Sequence, residues 1–272
     1  MRSRGRSLLL PLLVVCGSLV AGREALATNT YPNYLGASVS FTSIQETSNL
    51  GDPELPPAGP PLGTCCWGAP AGVGDLLQFS PLTYSAQASG AGGYDGTGAQ
   101  LQTLITATGI GATIDQIYLS EYGDAALSGP TGTGGTGVLA SMAGFVTVLE
   151  VSGVAVTPTV ISFNAAGPNP FGVTGAFSDP ALGAGTFALP GNAGLTSWSG
   201  LVSIDLASIV PNATKVQLSF DNDLYAYSEA EGNSALITKT SIIIGVVPEP
   251  GTFALLGGGL LVLALRARAR RE

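Results

Sequence analysis

The sequence predicts an all-β fold, an antiparallel β-sandwich for which a jelly roll is one topology, with a separate short C-terminal transmembrane helix. Three observations predict it. Short stretches from Ala37 onward alternate apolar and polar residues, the period of a half-buried strand. Clusters of glycine and proline separate them, and no long segment of 3.6-residue period competes. One run, Thr252 to Leu265, is apolar nearly throughout and is followed by arginines.

Composition bounds the function. The chain has 272 residues, of which residues 28–247 form the middle, enough for one sizeable core or two small ones, and one domain is the simpler reading. Charged residues are 10% of the chain and histidine is absent, so few side chains serve acid–base chemistry near neutral pH and no Ser-His-Asp triad exists. The chain is therefore not expected to be an enzyme, and no cofactor or metal is expected. All the arginines lie at the ends, and residues 28–247 hold 15 acidic side chains against Lys215 and Lys239. So acidic a domain repels nucleic acid. With 39 glycines and 18 prolines, the composition stays below the level that marks low-complexity disorder.

Residues 1–27 have the three parts of a secretory signal peptide: Arg2, Arg4 and Arg6, an apolar run from Ser7 to Val15, and small residues at Ala25 and Ala27. Cleavage by signal peptidase is expected after Ala27. Cys16 does not make a lipoprotein site, because Val14 and Val15 stand where small residues are needed.

In the middle, the strand candidates are 39–44, 76–80, 82–88, 101–107, 113–119, 144–151, 159–163, 201–206, 215–220 and 235–244. The clearest is 215–220, where Val216, Leu218 and Phe220 face one side. Turns are expected at 90–96, 129–137, 167–172 and 190–192. Residues 49–72 carry Pro53, Pro56, Pro57, Pro60, Pro61 and Pro70, which block ladder pairing, so this segment is expected to be an extended loop. Within it Cys65 and Cys66 are adjacent. A vicinal disulfide, intermolecular bridging and two free thiols are all open in an oxidising compartment, and a local disulfide is the working expectation. Zinc would need further cysteine or histidine ligands.

The remaining motifs each have a plainer reading. Asp221-Asn222-Asp223 clusters oxygens but lacks the glycine and glutamate of a calcium loop, so turn chemistry is expected. Tyr94-Asp95-Gly96 contains a turn dipeptide. Glu229 and Glu231 read as solvated acids rather than a glycosidase pair. Trp198 suits a sandwich core as well as it suits a sugar-stacking platform. Asn212-Ala213-Thr214, a sequon by pattern, reads as a turn.

The tail, residues 248–272, is the most specific segment. Pro248-Glu249-Pro250 precedes the apolar run 252–265, and Arg266, Arg268, Arg270 and Arg271 follow it. As a helix that run spans about 21 Å against a hydrocarbon core of about 30 Å, so insertion is marginal and suits a transient anchor. Basic residues beside a membrane segment stay cytoplasmic, which places the preceding domain outside. This tail resembles a PEP-CTERM sorting signal, and 203–235 more loosely resembles a stretch near the end of such proteins' ectodomains. The resemblance implies recognition of Pro248, Glu249 and Pro250 by an exosortase, a membrane transpeptidase, in a Gram-negative bacterium. It further implies transient anchoring in the inner membrane, facing the periplasm, with Arg266, Arg268, Arg270 and Arg271 as the membrane stop. Delivery to the outer surface or extracellular matrix would follow. The expected role is a non-catalytic structural or exopolysaccharide-associated component. The alternative is a carbohydrate-binding or carbohydrate-active domain using Trp198, Asp95 and Asp221 to Asp223.

Overall fold

The computed structural model describes residues 28–50, 67–81, 84–109, 111–130, 135–177, 186–188 and 194–248. In chain order the elements are β1 (Thr28–Tyr31), β2 (Tyr34–Leu35), β3 (Val39–Leu50), β4 (Ala71–Val73), β5 (Leu76–Phe79), β6 (Ser85–Ser89), β7 (Gly93–Ala107) and β8 (Ile114–Ser128). They continue with β9 (Thr136–Val151), β10 (Val154–Asn164), β11 (Val173–Phe177), β12 (Thr186–Ala188), β13 (Gly194–Asp205), helix α1 (Leu206–Ile209), β14 (Ala213–Ser228) and β15 (Ser234–Pro248).

The strands form two sheets in which every pairing is antiparallel. The first has the order β1-β3-β7-β14-β9-β10, with β2 on β3 and β12 on β9. The second has the order β11-β13-β8-β15-β5-β4, with β6 on β15. Alternation decides which side chains meet between them. Along β14, Val216, Leu218 and Phe220 are fully buried, as their spacing predicts, while Lys215, Gln217 and Ser219 face outward. Opposite them lie Ile117 and Leu119 of β8 and Ile242 and Ile244 of β15, also fully buried. Each such side chain contributes about 1.5–3 kcal/mol through burial, which makes this seam the main source of stability.

Several ties join the sheets. Asp75, in the turn between β4 and β5, accepts hydrogen bonds from the Ser38 amide (2.8 Å), the Ser38 hydroxyl (2.6 Å) and the Val39 amide (3.2 Å) at the start of β3. Trp67 fills the interior with its ring 5.3 Å from Phe79 of the second sheet and 5.1 Å from Phe220 of the first. Its amide donates to Glu46 Oε1 (3.1 Å), and the Tyr31 hydroxyl donates to Oε2 of the same buried carboxylate.

The structure corrects three expectations. The loop drawn over 49–72 is shorter at both ends, because β3 runs to Leu50 and β4 opens at Ala71, and Trp67 belongs to the core. Asp221-Asn222-Asp223 is no turn but the middle of β14, paired on both sides. Tyr94-Asp95-Gly96 likewise lies within β7, because its register with β14 extends to Gly93. A single-turn helix, α1, follows β13 and is capped by Asp205 accepting from the Ser208 amide (3.1 Å). Among the described residues no helix is long and apolar enough to cross a membrane, and the helix expected over 252–265 lies outside them.

Candidate functional site

The chemistry of the described residues concentrates inside the sandwich, at the middle of β8, β14 and β15. On β8 the inward set includes Leu119, Glu121, Gly123 and Ala125, so a carboxylate falls in line with core residues. On β15 the inward residues Ala235, Ile237 and Lys239 give way to Ile242, Ile244 and Val246. The change of phase is a bulge: the register slips between Lys239 and Ser241, leaving Thr240 exposed. On β14 the same alternation that buries Phe220 and Leu224 buries Asn222 between them.

These three side chains converge. Lys239 and Glu121 are fully buried, with Lys239 Nζ 2.5 Å from Glu121 Oε2. Nζ also donates to Asn222 Oδ1, across the seam from the second sheet to the first. The Tyr84 ring lies 5.0 Å from Nζ and the Trp198 ring 5.7 Å. Tyr84 fixes both strands, because its hydroxyl donates to the Asn222 carbonyl and its own carbonyl accepts from the Lys239 amide (2.9 Å). Among the described residues nothing hydrogen-bonds to Asn222 Nδ2, Glu121 Oε1 or Trp198 Nε1. Gly123 and Gly200 make the space: a Cβ at 123 would overlap the Trp198 indole, and one at 200 would come within 2.8 Å of Glu121 Oε1.

Burial pushes the Lys239 ammonium below its ordinary range, because desolvation penalises the charged form. The Glu121 carboxylate, and more weakly Asp223, oppose that shift. An ion pair this deep costs several kcal/mol per ion in desolvation, so stability alone gives weak reason to retain it.

The other sequence candidates scatter. Trp198 is 2% exposed and belongs to the wall of the buried cluster, so it offers no sugar platform. Asp95 Oδ2 accepts from the Gln87 amide (2.8 Å) and thereby secures β6 against β7. Asp221 and Asp223 lie on the outward face of β14, opposite in direction to Asn222, so the three do not form one oxygen cluster. Glu229 and Glu231 are exposed in the β14–β15 connection, and Asn212 sits in a turn with φ 60°. A cleft of about 490 Å³ at one end of the sandwich is lined by Thr106, Thr113, Glu150, Ser152 and Asn212 among others. Its carboxylate, Glu150, pairs with Lys215 at 3.1 Å. Of the tail, Pro248 ends β15, with Val247 opposite Gln116 and Pro248 opposite Ile114. Glu249, Pro250, Arg266, Arg268, Arg270 and Arg271 lie outside the described residues, as do Ala25, Ala27, Cys65 and Cys66.

The sequence holds no signal for Glu121, and for Lys239 only one, a lysine standing alone between Ile237 and Ile242 in a strand that otherwise alternates toward a core.

These features define a class: an antiparallel two-sheet domain with a buried ionic cluster, whose last strand leads into an apolar, arginine-ended tail. The tail makes it specific. Residues 246–271 match the PEP-CTERM protein-sorting motif, and the chain therefore carries that motif, as Pro248-Glu249-Pro250 indicated. A protein so marked is exported and sorted to the cell envelope, with processing by an exosortase-type transpeptidase. No curated protein matches the sequence. Among solved structures, the chain is similar to a loop-swap mutant of Necallimastix patriciarum Xyn11A, at 10% identity over 82% of this chain and 100% of that one, with a TM-score of 0.23. It is also similar to the enzymatically active domain of bacteriophage CBA120 tailspike protein 4, at 14% identity over 60% of this chain and 19% of that one, with a TM-score of 0.15. Likenesses at these scores carry no argument about function.

Proposed function

We propose that the sandwich is a non-catalytic structural component of the cell envelope of a Gram-negative bacterium, or of its exopolysaccharide layer, delivered there by its tail. The observation that carries the reading is the sorting motif over 246–271, which begins within the last strand of the β domain. In this reading signal peptidase cuts after Ala27, residues 252–265 hold the chain transiently in the inner membrane, and Arg266, Arg268, Arg270 and Arg271 stay on the cytosolic side. The domain's own chemistry supports a structural role. The acidic side chain of its end cleft is already neutralised by Lys215, and its Glu121 is fully buried and paired with Lys239. Hydrolysis of a sugar would instead need two carboxyls facing an open cleft.

Deleting residues 248–250 tests this in the native host. The variant should accumulate in the inner-membrane fraction while the parent chain reaches the surface or medium. An unchanged distribution would sink the proposal.

A further inference from the structure

The buried cluster holds an amine, a carboxamide and a carboxyl in contact, in a pocket closed by aromatic rings. We propose that Lys239 and Asn222 join spontaneously through an amide bond between Nζ and Cγ, with Glu121 as the proton carrier, so that the two sheets are covalently stapled. The inference does not depend on which role the domain serves outside the cell.

The geometry supplies each requirement of the reaction. Nζ already touches the Asn222 carboxamide, so the encounter is intramolecular and the entropy of bringing the reactants together is met by the fold itself. Glu121 Oε2 lies 2.5 Å from Nζ, within reach for proton transfer. Asn222 Nδ2, the leaving group, has no hydrogen-bond partner among the described residues that would hold it in place. Lys239 is 1% exposed and Asn222 and Glu121 are fully buried, so bulk water does not compete for the reacting carbon. Burial also disfavours the ammonium form of Lys239, and a nucleophile must be a neutral amine.

The step balances with no outside reagent. Glu121 takes a proton from the Lys239 ammonium, leaving a neutral amine beside a neutral acid. The amine lone pair attacks Asn222 Cγ, the Nζ–Cγ bond forms, and the carbonyl oxygen takes up negative charge. Glu121 gives its proton to Nδ2 and takes another from Nζ. Collapse breaks the Cγ–Nδ2 bond, and ammonia departs with the remaining proton as ammonium, restoring the Glu121 carboxylate. Nothing is oxidised or reduced. An ammonium and a primary carboxamide have become a secondary amide and an ammonium ion. The product replaces the buried lysine ammonium by a neutral amide.

The sequence between the two residues allows a direct test by peptide mapping of the full-length chain after digestion with trypsin and a glutamate-specific protease. Cuts after Lys215, Glu229, Glu231 and Arg266 place Asn222 in the segment 216–229 and Lys239 in 232–266, since the Glu249–Pro250 bond resists both proteases. The expected result is a branched species containing both segments, lighter than their sum by one ammonia, with no tryptic cut after Lys239. Unlinked segments of unaltered mass would overturn the proposal. Ammonia loss confined to 216–229 would overturn it too, since that marks an internal succinimide at Asn222-Asp223. Asn222→Ala should abolish the branch and restore cleavage after Lys239, and Glu121→Gln should reduce the linked fraction at least tenfold. A linked fraction unchanged in E121Q would remove Glu121 from the mechanism. The parent chain's map decides the matter however well the variants fold.

Discussion

Asp75 and Asp223 are both partly buried acids, yet their surroundings push their carboxyls in opposite directions. At Asp75 burial raises the carboxyl, but the Ser38 hydroxyl and the amides of Ser38, Val39 and Ala37 outweigh it, and the net shift is below the ordinary value of 3.8. A depressed folded-state value gives stability that is present above the unfolded value and lost as pH falls through the folded one. Asp75→Ala should therefore lower the melting temperature at pH 7, by the equivalent of about 1 kcal/mol for a solvent-screened site, and the deficit should narrow as pH falls below the unfolded value. At Asp223 burial again raises the carboxyl, the nearby Asp221 and Glu121 charges add to it, and the Ser141 hydroxyl and Lys239 only partly offset them. That favourable contribution is full below the unfolded value and lost as pH rises, so Asp223→Asn should raise the melting temperature at pH 7 by a few degrees at most. The gain should vanish below about pH 4. Thermal scans of both variants across that range check the pair, and a pH-independent difference in either would refute its assignment. Neither role was legible in the sequence. Asp223 reads as turn chemistry because Asp-Asn-Asp is turn-like in composition, and only the two-sided pairing of β14 shows otherwise.

At the scale of elements, alternation located the strand centres and glycine misled about their ends. The core stretches 101–107, 113–119 and 144–151 stood out because their apolar residues recur at every second position. Their strands begin or continue well past those limits, through Gly93, Gly96 and Gly98 in β7, Gly123 in β8 and Gly137 in β9. In isolation such residues signal turns. In the sheet some of them are spacers that a ring or a backbone approaches closely, and a one-dimensional pattern does not show the partner. Gly123 lies opposite Trp198 on one side and Lys239 on the other. Its missing side chain leaves room for the indole that shields Lys239. Gly123→Ala should cost about 1–3 kcal/mol through overpacking and displace the Trp198 ring. Chemical denaturation followed by tryptophan fluorescence reads both effects, and a variant with parental stability and emission would show that the spacer is dispensable. Short elements such as β1, β2, β11 and β12 escaped notice for a different reason. Each is held at or near a sheet edge by its neighbour rather than by an apolar pattern of its own.

At the scale of the whole molecule, the sorting tail and the β domain share residues. The motif match begins at Val246, while β15 continues to Pro248 in the interior of the second sheet, between β8 and β5. Val246 is 4% exposed, its amide donates to the Asp75 carbonyl (3.1 Å), and Pro248 stands opposite Ile114. A folded sandwich thus holds the first residue of Pro248-Glu249-Pro250 in its own sheet, with no spacer between the core and the segment that we propose the sorting enzyme reads. Recognition then competes with pairing of the last strand residues, and processing of the folded chain requires the end of β15 to fray. Fraying of a terminal pair is cheap compared with global unfolding, so the competition should slow processing rather than prevent it. Inserting six Gly-Ser residues between Val247 and Pro248 keeps the motif intact and removes the constraint. In a pulse-chase in the native host, the insertion variant should be processed several-fold faster than the parent. Equal rates would mean that the tail is read before the sandwich closes, with export and sorting finished on an unfolded chain.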